Sequence, residues 1–137
     1  LVKYICEKFF NWDGTKDEKG RTLLQYVGTD VVRKQRPSYW TDFVVSVLEL
    51  FPNEWDYVLI PDCRFPNEVE CFIEHGMDTT LIRINRPNFV SNLTPEQLKH
   101  PSETAMDDYP PNLYVINDGT LKDLSNSIKD ILAFIGG

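Results

Sequence analysis

Helical spacing of apolar residues opens the chain. In residues 1–11, Val2, Ile5, Cys6 and Phe9 fall near a 3.6-residue period and predict an amphipathic helix. Asp13 to Gly20 is polar, charged and flanked by glycine, which reads as a loop. A second helix is expected from about Arg21 to Gly28, carrying Leu23, Leu24, Tyr26 and Val27. A short helix through Val31 and Val32 should end before Pro37, because the residue preceding a proline is pushed out of the helical region. Tyr39 to Leu50 carries a broad apolar stripe of Trp40, Phe43, Val44, Val47 and Leu48 that reaches Phe51, and predicts a strong helix.

The period then changes. Tyr57-Val58-Leu59-Ile60 is an unbroken apolar run, expected to be a strand buried on both faces. Asn67 to His75 reads as a helix stopped by Gly76, and Thr79 to Ile84 as a second strand. Strand, helix and strand within about thirty residues predict a βαβ unit with parallel strands. A polar loop with three prolines follows over 86–101, with a short helix from Thr94 to Leu98 and one or two turns over Ser102 to Asp107. Leu113-Tyr114-Val115-Ile116 predicts a third strand. Asn117-Asp118-Gly119 turns the chain into a last helix, Leu121 to Phe134, with Leu124, Ile128, Ile131, Leu132 and Ile135 on its apolar face. The fold class is α/β, in a single domain over 1–137.

Charge and composition narrow the function. A net charge of -7 argues against a nucleic-acid coat, which needs a basic face, but leaves room for a few converging arginines around a small anion. Three cysteines without zinc spacing point to a reduced, cytoplasmic protein, in which the sequon at Asn92 has no meaning. No apolar run approaches the ~20 residues of a membrane span. The chain opens directly on an apolar segment at Leu1, which raises the expectation of a trimmed or incomplete protein.

One stretch imitates a phosphate loop. In "WDGTKDEKGRT", Gly14 and Gly20 bracket a short run, and Arg21 and Thr22 follow. The Walker A pattern G-x-x-x-x-G-K-[ST] requires four intervening residues and a lysine. Here five intervene, arginine follows, and Asp17 and Glu18 stand where phosphates would sit. The stretch reads as a solvated loop between helices.

Ligands of open α/β sheets bind beyond the carboxyl ends of strands. That rule selects Asp62 and Arg64 in "PDCRF", Arg86 in "IRINRP", and Asn117, Asp118 and Gly119. An arginine there can clamp a phosphate, and an aspartate can orient a basic group. From position alone, simple pairing with neighbours or capping of the next helix is equally open for Asp62 and Arg64. Arg33 and Arg36 form another possible anion site. His100, Ser102 and Glu103 ("HPSE") suggest a serine with its base, but no nucleophile elbow surrounds Ser102, which reads better as a helix start.

Together, "GRTLLQYVGTDVVR" with the following "YW", "DYVLIPDCRFPNE", "LIRINRP", "HPSE" and "VINDGTLKDL" resemble the phage-type deoxynucleoside monophosphate kinases, a branch of the P-loop nucleotide kinases. The resemblance implies a parallel sheet flanked by helices, whose first strand and P-loop are missing from this chain. It implies phosphoryl transfer from ATP, with magnesium, to a deoxynucleoside monophosphate in the full-length form, with this chain alone inactive. Thr29, Asp30, Arg33 and Trp40 would belong to the monophosphate-binding region. Asp62, Arg64 and Arg86 would be catalytic, and Asn117, Asp118 and Gly119 would lie near the adenine of ATP. The 86–101 loop would act as a lid. Without the P-loop, whether this chain holds ATP and magnesium stays open. A non-catalytic nucleotide-binding or assembly module, or a related small-molecule kinase, is the alternative. Sheet edges left open by a missing strand predict self-association.

Overall fold

The computed structural model of the protein describes residues 1–136. It is helix-rich, with one small parallel sheet. The chain divides into two compact units: Leu1–Thr79 with Leu93–Tyr109, and Thr80–Asn92 with the residues from Pro110 onward.

The first unit is helical. Helix α1 covers Val2–Phe9 and α2 covers Glu18–Gln25. The loop between them closes on itself. Asp17 caps α2 by accepting the Gly20 N–H at 2.7 Å, the Trp12 indole N–H donates to the Thr15 carbonyl at 2.9 Å, and the Arg21 Nε–H donates to the Lys16 carbonyl at 3.0 Å. A side chain on Gly20 would lie 2.1 Å from the Thr15 oxygen, so only glycine lets the loop pass this closely. The imitation phosphate loop is thus a capped turn in which Asp13 takes the Thr15 N–H and Asp17 the Gly20 N–H.

Beyond α2 the chain does not break at Gly28, as its glycine suggested. It continues as a π-helical segment, Tyr26–Arg33, with Val27, Gly28 and Arg33 buried. Tertiary contacts override the local stop signal. Val2 of α1 packs beside Gly28, and the Trp40 Nε1–H donates to the Gly28 carbonyl at 3.0 Å. Helix α3, Tyr39–Leu50, follows as the apolar stripe predicts. Its Val44, Val45 and Leu48 pack with Cys71 and Phe72 of α4, Pro66–Glu74, and with Met77. Gly76, at φ 72°, ends α4 as expected. Two short helices complete the unit: α5, Pro95–Leu98, capped by Thr94, and α6, Pro101–Thr104, capped by His100. Buried Gln97 of α5 donates to Thr22 Oγ1 at 3.2 Å and so ties α5 to α2.

One expected element is absent. Tyr57–Ile60 is not a buried strand: it forms no ladder, and Leu59 is 86% exposed. A β-branched, aromatic run states a preference for a pleated surface, but a strand exists only where an edge is offered to it. Among the described residues no such edge meets this run. The βαβ unit expected between 57–60 and 79–84 is therefore not formed.

The second unit holds the sheet. Strand β1 is Ile82–Asn85 and β2 is Leu113–Ile116, parallel, with Ile82 opposite Leu113 and Asn85 opposite Ile116. The connection between these parallel strands contains α5 and α6. Helix α7, Leu121–Ile135, starts on a Thr120–Asp123 capping box. None of its residues is fully buried, and Ile128, Leu132 and Phe134 are exposed.

Because Phe72 is buried in the α3–α4 cluster with Val45 and Cys71, Phe72→Ala is expected to destabilise the fold by about 3–4 kcal/mol, measured as a lowered urea midpoint.

Candidate functional site

The site begins with a buried cation. Arg33, the last residue of the π-helical segment, is 8% exposed. Its Nη1 donates to Glu68 Oε1 at 2.8 Å, its Nη2 donates to Asn67 Oδ1 at 2.6 Å, and its guanidinium lies 3.8 Å over the Phe65 ring. Burial lowers the Arg33 pKa from its usual value, and the Glu68 carboxylate opposes that shift.

Glu68 joins this arginine to the loop before α4. Phe65, extended because Pro66 follows it, starts the helix, which places Glu68 at the third helical position. There Glu68 Oε2 accepts the Arg64 N–H at 2.7 Å and the Phe65 N–H at 3.2 Å, while Oε1 accepts from Arg33. One carboxylate thus fixes the π-helical segment, the helix start and the backbone of residues 64 and 65 in one arrangement. Asn67 extends the link by donating from Nδ2 to the Pro37 carbonyl at 3.3 Å.

Beyond that anchor the Arg64 side chain enters a pocket of about 310 Å³ lined by Pro61, Asp62, Cys63, Arg64, Ser102, Glu103 and Met106. Arg64 Nη1 donates to the Ser102 carbonyl at 3.1 Å and to the Glu103 carboxylate. Burial, reinforced by the Glu68 charge, pushes the Cys63 thiol up to about 11, so it stays protonated and unreactive near neutral pH. A larger and shallower groove, lined by Glu18, Lys19, Thr22, Leu23 and Tyr26, lies on α2 and brings together none of the expected site residues.

His100 caps α6, the helix that brings Ser102 and Glu103 to the pocket wall. Its Nδ1 accepts the Ser102 N–H at 3.2 Å, so the neutral ring carries its proton on Nε2. That Nε2 is buried without a hydrogen bond, and Asp30 Oδ1 lies 3.6 Å away, an electrostatic contact beyond bonding distance. Ser102 Oγ sits 2.9 Å from Nδ1 and the residue is buried. The order Asp30, His100, Ser102 imitates a hydrolase triad. The nitrogen facing the serine already accepts a backbone N–H, however, and the hydroxyl is closed off, so the group caps α6 rather than attacking a substrate.

The expected site residues therefore separate. Asp30, Arg33, Asp62 and Arg64 lie in the first unit around this network. Thr29 and Trp40 belong to the same unit: the Thr29 carbonyl accepts the Lys34 N–H, and Trp40 holds Gly28 and meets Tyr39 edge-on. Arg86, Asn117, Asp118 and Gly119 belong to the second unit. Arg86 is exposed, its guanidinium 5.3 Å from the Phe89 ring. The Asn117 N–H continues the ladder to the Asn85 carbonyl at 2.7 Å. Gly119 leaves room for Asp123, whose carboxyl the Thr120 hydroxyl and N–H hold below its usual range. Sequence reasoning missed Glu68. A proline at the first helical position with an acid two residues later was the available signal. Among the described residues no group of three or more His, Cys, Asp or Glu side chains is placed to hold a metal ion, and no helix is long and apolar enough to cross a membrane.

Comparison with known proteins places the chain in a family. The family model for deoxynucleotide monophosphate kinase matches residues 5–128. The chain belongs to that family. It is 32% identical over 114 residues to the deoxynucleotide monophosphate kinase of Enterobacteria phage T4, covering 82% of this chain and 44% of that protein. Against the deoxynucleotide monophosphate kinase of Escherichia phage RB69 the identity is 30%, with the same coverage of each chain. An uncharacterized protein, ORF77, of Ictalurid herpesvirus 1 is 30% identical over 115 residues, covering 83% of this chain and 48% of that one. The chain spans somewhat under half the length of these curated relatives. No solved structure matches it significantly.

Removing Glu68 strands a buried guanidinium and two backbone donors. Glu68→Ala is expected to cost about 3 kcal/mol in urea unfolding, with Glu68→Gln costing less because it keeps an acceptor.

Proposed function

We propose that this chain forms the acceptor side of a deoxynucleoside monophosphate kinase, which in its full-length form transfers the γ-phosphoryl group of ATP to a deoxynucleoside monophosphate. The observation that carries the reading is Arg64. It is a cation in a pocket, its backbone pinned by Glu68, within a segment matched by the family. Phosphoryl transfer asks a protein for positioning and charge neutralisation rather than for a nucleophile, and a guanidinium suits a phosphate monoester because it can donate two parallel hydrogen bonds.

On this reading Arg64 binds the acceptor phosphate, and Asp62, in the same pocket, orients the acceptor or the arginine. Arg33 acts from behind, as the buried anchor of the Arg64 loop. Thr29, Asp30 and Trp40 shape the acceptor region, Trp40 by holding the π-helical segment to α3. Arg86 and the 86–101 segment contribute charge and closure over the transferring group. Asn117, Asp118 and Gly119 contribute to the adenine end.

Bound ATP with magnesium would supply the phosphoryl group and neutralise its charge. The residues described here do not fit that pair: the sequence holds no G-x-x-x-x-G-K-[ST] loop, and the described carboxylates form no metal cluster. On this reading the best-supported work of this chain's residues is on the acceptor, with Arg86, Asn117, Asp118 and Gly119 contributing on the ATP side.

A second reading has its own support. The exposed Tyr57–Ile60 run favours an assembly module built on the kinase framework, because an exposed apolar run with strand preference can add to the sheet edge of another chain.

Two outcomes test these readings. The 137 residues alone should show negligible turnover with ATP and any of the four common deoxynucleoside monophosphates in a coupled assay. They should still bind a monophosphate weakly in calorimetry, with Arg64→Gln weakening binding by at least about tenfold; turnover by this chain, or unchanged binding in the variant, overturns the first reading. For the second, elution volume should fall as concentration rises, and a monomer across a hundredfold range overturns it.

A further inference from the structure

We infer that Glu103 is a built-in counter-anion for Arg64, occupying the arginine until a dianionic ligand displaces it, and so sets the charge that a ligand must bring to this pocket. The inference rests on the reading of Arg64 as the acceptor-phosphate ligand and deepens it.

The two arginines near Glu68 are held in opposite ways. Arg33 is 8% exposed, donates from both terminal nitrogens to two side chains and is covered by an aromatic ring. Such a cation has no face left for a ligand, and exchange would strand a buried charge. Arg64 is 46% exposed at its side chain, and its partner Glu103 is 24% exposed. Both bonds that hold the Arg64 side chain, to the Ser102 carbonyl and to Glu103, use the single nitrogen Nη1. Both residues line the pocket.

The asymmetry of support matters as much as the exposure. The Arg64 backbone is fixed by Glu68, so the arginine stays when its partner leaves. Glu103 lies on the four-residue helix α6, and its other side-chain contact is Ser102 Oγ, at 3.4 Å. A solvent-accessible ion pair contributes little, so it exchanges cheaply. A phosphate monoester carries up to two charges and can take two guanidinium donors in parallel where Glu103 takes one. A neutral ligand offers nothing to replace the carboxylate. With Asp62 also in the wall, an entering anion meets two acids and one arginine. Displacing Glu103 is then the step by which a dianion gains Arg64, a gain that weak anions share poorly and uncharged nucleosides not at all.

The test is calorimetric titration at pH 7.5 of inorganic phosphate, of each common deoxynucleoside monophosphate and of the matching deoxynucleosides. The proteins are the unmodified chain, Glu103→Gln and Arg64→Gln, with thermal melts confirming that each is folded. Glutamine keeps the size and the hydrogen bond of Glu103 but removes its charge. Glu103→Gln is expected to tighten phosphate and monophosphate binding about two- to fivefold and to leave nucleoside affinity unchanged. Weakened or unchanged phosphate binding in Glu103→Gln, with binding still lost in Arg64→Gln, overturns the counter-anion role and leaves the Arg64 site standing. An equal change for nucleosides and nucleotides also overturns it, since it marks a shape effect rather than charge. Unchanged binding in Arg64→Gln, or no binding by either the unmodified chain or Glu103→Gln, overturns both readings.

Discussion

The buried pair of Arg33 and Glu68 is the constraint on which the candidate site depends. Taking a guanidinium and a carboxylate out of water is expensive, and close geometry only partly recovers the cost. What the pair gains is definition. With Glu68 committed to Arg33 through one oxygen and to two backbone N–H groups through the other, the 64–65 backbone has one arrangement compatible with a satisfied interior. The ring of Phe65 and the amide of Asn67 complete the enclosure. The exposed arginine is therefore presented from a backbone held by hydrogen bonds to Glu68, although it stands on an irregular segment.

This division of labour suits an acidic protein that handles anions. Net charge repels a phosphate at long range, and only local geometry offsets that. Three arginines of the first unit are held by carboxylates: Arg33 by Glu68, Arg36 by Asp42, and Arg64 by Glu103. They differ in how easily each is released, and burial sets that order. A count of arginines would have treated the three alike.

The sequence made the periodic elements legible and the long-range ones illegible. Helix α3 and strand β2 appear at their expected bounds, and α7 within a residue, because each carries a complete local pattern of its own. Tyr57–Ile60 carries the same kind of pattern as β2, yet it is exposed, because pairing depends on a neighbour that local sequence does not describe. The continuation through Gly28 was hidden for a related reason: the contacts that sustain it come from Val2 and Trp40, on other helices. At the site, Asp62 and Arg64 were visible from their place after an apolar run, even though that run is not a strand here. Glu68 was not, and Glu103 was noted only beside Ser102 at a helix start, since a glutamate on a helix is ordinary until its distant partner, 35 or 39 residues away, is known.

The π-helical segment sets how much change the chain tolerates in length rather than in composition. Arg33 reaches Glu68 at the end of eight residues wound more widely than an α-helix. Each residue taken out of that run would rotate Arg33 by close to a quarter turn around the axis and draw it back along it. A substitution at an exposed position such as Tyr26 leaves this reach intact, whereas a one-residue deletion would turn the cation away from its carboxylate while every remaining side chain stayed the same. For Tyr26–Arg33 the number of residues is part of the site, as much as their identities are.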